Sequence, residues 1–247
     1  MTAPSSDDVT AAVLVIGDEI LSGRTKDKNV GTIAERLTEI GIDLREVRMV
    51  PDIAVEIVAA VNALRARYTY VFTTGGIGPT HDDITADCIA AAFGVGIGVD
   101  ERARAMLLER HKPEDLNEAR LRMARIPEGA DLIPNPISKA PGFRIGNVCV
   151  MAGVPQIMEA MLDSVLPGLI PGRIVLSETI EAGPIPEGSF AGGLATIAHA
   201  HSGVSIGSYP SMTQSGFSNR IVVRGRDPDA IAAARAEIET LLASLAG

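Results

Sequence analysis

The run Thr73, Thr74, Gly75, Gly76, Ile77, Gly78, Pro79, Thr80, His81, Asp82, Asp83, Ile84, Thr85 holds the densest collection of groups that could do chemistry. Glycines let a backbone approach a ligand closely, and free N–H groups at the mouth of a helix favour negative charge. The apolar residues Tyr70, Val71 and Phe72 before it read as a buried strand, and the stretch from Ala86 to Phe93 reads as a helix. A strand, a glycine-rich turn and a helix in that order make an anion site. Asp82 and Asp83 would repel a naked phosphate. They therefore imply a metal ion, a proton-transfer role, or hydrogen bonds to the non-phosphate part of a ligand. The plainer reading is an ordinary connection in which Thr80, Asp82 or Asp83 caps the helix. A cap needs one such residue and this turn supplies many, so a ligand site is the expectation.

The elements that must hold this turn are legible from periodicity. Ala11 to Ile16 is a continuous apolar run that suits a strand covered on both faces, and Gly17, Asp18 and Glu19 follow it. Ligands of open α/β sheets gather beyond the carboxyl ends of strands, which makes Asp18 and Glu19 site candidates rather than plain turn residues. Asn29 is expected to cap a helix through Val30, Ile33, Leu37 and Ile40, stopped by Gly41. Leu44 to Val50 reads as a second strand, and Pro51-Asp52 as the start of a second helix. Tyr68 to Thr73 reads as the third strand. This rhythm implies βαβ units and a mostly parallel sheet.

Beyond Gly94 the pattern loosens. Val95 to Val99 reads as a short extended segment, and helices are expected over Glu101 to Arg110 and Leu116 to Arg125. Arg102, Arg104, Arg110, Arg120, Arg122 and Arg125 are interleaved with acids as on a solvated helix face, with one or two free to reach a phosphate. Ser138 and Lys139 sit in a turn-rich segment ahead of a hairpin through Gly146-Asn147. Gly153 then opens a helix, a second strand end where a ligand could dock. A plain surface lysine is the competing reading of Lys139. Leu166 to Gly172, with two Pro-Gly pairs, is the linker. After it the order strand, helix, strand, strand, helix implies a small α+β unit. His199 and His201 are read as residues of a helix end rather than metal ligands.

The 247-residue chain has ample apolar content for a core, and its aromatic share of 3% makes that core aliphatic. A formal charge of −9 argues against nucleic acid or an anionic membrane as partner. Cys88 and Cys149 read as buried thiols in a reducing compartment. No apolar run approaches the roughly 20 residues of a membrane span, and residues 1–9 lack the pattern of a secretory signal. A cytoplasmic protein is expected.

Gly17-Asp18-Glu19 with Asp27-x-Asn29, and Thr74-Gly75-Gly76-Ile77-Gly78-Pro79-Thr80-x-Asp82-Asp83-x-Thr85, resemble the MoaB/Mog (molybdopterin-binding) domain. The variant is similar to the amino-terminal part of CinA, the competence/damage-inducible protein A family, and to the related domain of some FAD synthases. Ile206 to Pro210 resembles the small domain that follows there. The resemblance implies a three-layer α/β/α sandwich with a mostly parallel sheet over 11–167 and a small α+β domain over 174–247; the small, polar and acidic residues ahead of the sandwich read as a flexible tail over 1–10. The deamidase domain of full-length CinA proteins is expected to be absent.

In activity, the resemblance implies metal-dependent cleavage of the pyrophosphate of a nucleotide such as ADP-ribose or FAD. Molybdopterin binding or adenylyl transfer is the alternative. Asp83 matches the essential acid, Asp52 a second acidic position, and Glu19 and Asn29 line the site; Asp82 is grouped with the catalytic acids. Backbone amides around Gly75, Gly76 and Gly78 are expected to hold phosphates. A divalent ion is expected near Glu19, Asp52 and Asp83, with Asp82 close by. Gly17, Asp18, Thr74, Pro79, Thr80, Thr85, Ser138, Lys139 and Gly153 are expected to complete a nucleotide or pterin site, and a homo-oligomer is expected. Two departures, Ser138-Lys139 in place of Gly-Thr and Ile157 in place of a carboxylate, raise a third reading, a binding module without turnover.

Overall fold

β1 (Thr10–Ile16) is the strand around which the larger unit is built. In this computed structural model, which describes residues 8–213 and 216–246, all of β1 after Thr10 is buried. Successive side chains point to opposite faces. Ala12, Leu14 and Ile16 therefore enter one core, and Ala11, Val13 and Val15 the other. The chain continues through α1 (Asp18–Leu21), α2 (Asn29–Glu39), β2 (Asp43–Val50), α3 (Ala54–Arg67), β3 (Tyr70–Thr74) and α4 (Thr85–Phe93). Less regular elements follow: β4 (Ile97–Val99), α5 (Glu101–Leu108), α6 (Glu118–Arg122), β5 (Arg125–Pro127) and β6 (Asp131–Ile133). The hairpin β7 (Gly142–Ile145) and β8 (Val148–Met151) leads into α7 (Pro155–Val165).

The main sheet runs β2-β1-β3-β8-β7-β6. Its first four strands are parallel, and the last two are antiparallel to their neighbours. Ile57, Val61 and Leu64 of α3 and Cys88 and Ile89 of α4 cover one face. Ile33 and Leu37 of α2 and Met158, Met161 and Leu162 of α7 cover the other. This is the expected three-layer α/β/α sandwich. β4 and β5 pair apart from it as a two-stranded ribbon.

A division between Gly172 and Arg173 separates a second unit. It comprises β9 (Leu176–Gly183), α8 (Glu187–Ala200), β10 (Val204–Thr213), β11 (Gly216–Gly225) and α9 (Pro228–Ala246). Its antiparallel sheet has the order β10-β11-β9, and its core joins Ile180, Ile221 and Val223 to Phe190, Ile231 and Ile238. Asp227 accepts the Asp229 N–H at the start of α9. No helix among the described residues is long and apolar enough to cross a membrane.

Several local expectations need correction. Asn29 is the first residue of α2 and Lys28 holds the cap position; the carboxylate of Asp27, one residue further out, accepts the N–H groups of Asn29 and Val30. α3 starts at Ala54 rather than at Pro51-Asp52, because Ile53 keeps an extended backbone. Tyr68 ends α3 instead of opening β3. The helix expected to run to Arg125 stops at Arg122, since Arg125 to Pro127 pair with β4. Of the expected tail, residues 1–7 lie outside the described residues, whereas Thr10 already belongs to the sheet.

Candidate functional site

β1 and β3 end side by side, with Val15 opposite Thr74, and the glycine turn leaves the sheet there. Gly75 has φ +102°, and a Cβ on it would lie 2.1 Å from the Ile16 carbonyl oxygen. Gly76 has φ +66°, and a Cβ there would lie 2.1 Å from Thr85 Oγ1. Both positions demand glycine, for backbone shape and for room. Thr85, fully buried at the start of α4, holds the turn from behind: its hydroxyl donates to the Gly75 carbonyl and its N–H to the Gly76 carbonyl, each at 3.0 Å. Ile77 packs against both cores.

The amides do not all face a ligand. Gly75 N–H is spent on Met151 O and Gly78 N–H on Asp83 Oδ1, which corrects the expectation that both hold phosphate. Among the described residues, the N–H groups of Gly76 and Ile77 meet no protein acceptor. Adjacent free donors of this kind suit an anion.

Asp83 braces the turn. Its carboxylate accepts Gly78 N–H at 2.7 Å, Thr80 N–H at 2.8 Å and the Thr80 hydroxyl at 2.5 Å. Arg122 donates to the Asp83 carbonyl at 3.1 Å. Arg125 forms a two-pronged pair with Asp87 at 2.8 and 2.6 Å. With Gly76, Ile77 and Gly78 these residues wall a narrow cleft on the α4 side of the turn. These are the two arginines of the six that approach the turn. Arg102 is taken by Asp100, Arg104 by Glu101, Arg110 by the Ile137 carbonyl and Arg120 by the Asp115 carbonyl. Sequence spacing cannot make that selection: Arg125 is placed by the short β4–β5 pairing and Arg122 by the end of α6 just before it.

On the other side, a cavity of about 60 Å³ lies between the turn and the start of α2. It joins Glu19, Asn29, Thr74, Gly75 and Gly153, all five expected at the site. Asn29 donates its side-chain amide to the Gly153 carbonyl at 2.8 Å, while its Oδ1 has no partner. Thr74 Oγ1 is likewise buried without one. The Glu19 carboxylate folds over Gly17, so near that a Cβ there would sit 2.5 Å from Oε2. Gly153 packs on Gly75, where a Cβ would meet the Gly75 Cα at 3.2 Å.

Asp52 accepts the Asp18 N–H at 3.0 Å. Burial raises its carboxyl above the ordinary aspartate range, and the nearby charges of Asp18, Glu19 and Asp82 push the same way. Among the described residues no three His, Cys, Asp or Glu side chains are grouped so as to hold a metal ion. Glu19 and Asp83 line opposite sides of the turn, and both Asp83 oxygens already accept hydrogen bonds.

Pro79 and Thr80 lie exposed beyond the turn. Ser138 and Lys139 line neither cavity. The Ser138 hydroxyl accepts from the buried Asn135, and Lys139, at φ +64°, pairs with Glu109 at 2.6 Å. Ile157 packs against the α2–α7 core. His199 lies against the Ala195 carbonyl and His201 against Glu237.

Comparison with known proteins is decisive at the level of family. The family model described as a probable molybdopterin binding domain matches residues 12–171. The chain belongs to that family. Within it the chain is CinA-like: a CinA-like protein of Citrifermentans bemidjiense is 41% identical over 203 residues, covering 72% of this chain and 48% of the relative. The crystal structure of CinA, of unknown function, from Thermoplasma acidophilum is similar at 36% identity with a TM-score of 0.63. It covers 67% of this chain and 100% of that one. The small unit matches the middle domain of FAD synthase over residues 175–246. A probable FAD synthase of Caenorhabditis briggsae is 29% identical, with 97% of this chain and 50% of the relative covered. This molybdopterin-binding-domain chain thus spans about half the length of those two curated relatives.

Proposed function

We propose that this CinA-like chain binds a phosphate-bearing nucleotide at the glycine turn and hydrolyses its pyrophosphate, as in ADP-ribose or FAD. The observation that carries the reading is the pair of unclaimed N–H groups on Gly76 and Ile77, at the carboxyl ends of β1 and β3. They would donate hydrogen bonds to a phosphoryl oxygen on which negative charge accumulates. Water attacks one phosphorus, the bridging P–O bond breaks, and two phosphate products leave. Asp52 lines neither cavity but sits at the Asp18 N–H beyond the end of β1, where burial raises its carboxyl above the ordinary range, and is assigned the proton of the attacking water. Asp83 acts as a positioning residue, because its oxygens are committed to the turn. The match of the small unit to a FAD synthase middle domain supports a nucleotide of this class.

Molybdopterin binding with adenylyl transfer is the second reading, favoured by the family match itself. The test is incubation of purified protein with ADP-ribose, FAD and ATP, each with Mg²⁺, Mn²⁺ or EDTA, followed by chromatography for AMP. AMP from ADP-ribose or FAD that disappears in Asp52→Asn is the expected result. Equal turnover by that variant would refute the assigned proton acceptor. The EDTA arm decides the divalent-ion expectation, and fluorescence of a co-purified pterin would move the second reading to first. Self-association is a proposal from the resemblance, and light scattering on the full chain tests it.

A further inference from the structure

The glycine turn explains how one phosphate is held but not how a chain of net charge −9 attracts a polyanion. The cavity beside α2 contains the answer. Most arginines of the larger unit are engaged: Arg36 with Asp163, Arg45 with Asp43, Arg48 with Glu46 and Arg125 with Asp87. Lys26 and Lys28 line the cavity, and neither side chain has an ion-pair or hydrogen-bond partner among the described residues. Between them Asp27 is occupied with the first N–H groups of α2. Glu19 is the opposing charge in the same wall. Two further atoms point to a ligand. Asn29 is 5% exposed and Thr74 is 1% exposed, and Asn29 Oδ1 and Thr74 Oγ1 are both buried without partners. A buried acceptor without a donor is unfavourable unless something fills it. Since the Asn29 amide nitrogen is committed to Gly153, the missing partner must supply an O–H or N–H.

We infer that Lys26 and Lys28 are specificity-determining residues that select a nucleoside diphosphate-type ligand over its neutral nucleoside. The ligand places a hydroxyl or N–H against Asn29 Oδ1 and brings its anionic group within reach of the two ammonium groups. The inference rests on the nucleotide reading above and adds to it which side of the turn carries the charge selection. A cavity of about 60 Å³ admits one small group, so the remainder of the ligand lies outside it.

The experiment is calorimetric titration of the full chain, in EDTA, with α,β-methylene-ADP and with adenosine. It compares wild type, Lys26→Ala/Lys28→Ala and Lys26→Arg/Lys28→Arg at two salt concentrations. Both lysines are exposed, and circular dichroism checks that the variants fold. The wild type is expected to prefer the diphosphate and to lose that preference as salt rises. The alanine pair should weaken diphosphate binding by about thirtyfold, as two partly screened contacts allow. Adenosine binding should not change, and the arginine pair should recover most of the loss. Undiminished diphosphate binding by the alanine pair would overturn the inference and leave the nucleotide reading standing. Failure of the wild type to bind either probe would overturn both.

Discussion

Gly76 and Gly94 offer a matched pair of substitutions that isolates the close approach behind the turn. Their φ values are nearly the same, +66° and +68°, but a Cβ on Gly76 meets Thr85 Oγ1 at 2.1 Å whereas one on Gly94 meets nothing within 4 Å. Alanine at either site bears the left-handed backbone penalty of about 1–2 kcal/mol. Reduced freedom of the unfolded chain offsets about 0.4–1 kcal/mol of it. Gly94→Ala should therefore cost about 0.5–1 kcal/mol. Gly76→Ala must in addition displace a fully buried threonine and break its hydrogen bond to Gly75, for about 1–3 kcal/mol more. A difference of about 2 kcal/mol corresponds to about 4–8 °C in the melting of a unit of this size. Circular dichroism through thermal and urea unfolding measures it, with separate transitions fitted for the two units. In a Thr85→Ala background the obstructing hydroxyl is gone, and Gly76→Ala should then cost little more than Gly94→Ala. Equal destabilisation by the two glycine substitutions in the wild-type background would refute the claim that Thr85 shapes the turn.

Asp83→Ala removes the acceptor of three hydrogen bonds and should destabilise the turn by about 1–3 kcal/mol. Hydrogen exchange at Gly78 and Thr80 should rise while exchange in β1 stays slow. Because the folded state binds the Asp52 proton more tightly than the unfolded chain, whose ordinary value is 3.8, this residue's contribution to stability falls as pH rises past that value. Asp52→Asn should accordingly raise the melting temperature near neutrality, with the gain vanishing in acid; a constant offset at all pH values would contradict this. Burial pushes the thiols of Cys88 and Cys149 up to about 11 and about 12, so both should react with a thiol reagent only as the larger unit unfolds. Fast labelling of the native protein would refute their burial.

Strong periodicities made the sandwich legible. β1 reads as a doubly covered strand because all of it after Thr10 is buried, and α2 shows its apolar spacing plainly through Ile33 and Leu37. Element ends were less legible: Asp27 and Asn29 are both good cap residues, and only the hydrogen bonds decide between them. The turn was found by composition, but the employment of each amide was not, since Met151 and Asp83 claim Gly75 and Gly78 across the fold. Lys139 stands out in the sequence as a cation in a turn, whereas its partner Glu109 lies thirty positions earlier. Lys26 and Lys28 line the cavity with no sequence signal beyond their adjacency to the Asp27-x-Asn29 motif.

Ile77, leaning on both hydrophobic layers, makes the glycine segment a septum rather than a rim. The cleft on one side is lined by Gly76, Ile77 and Gly78 and the cavity on the other by Thr74 and Gly75, so the Gly75–Gly76 peptide stands between them. A molecule that moved this peptide from one side would alter the fit on the other, and the two effects would then be equal in free energy.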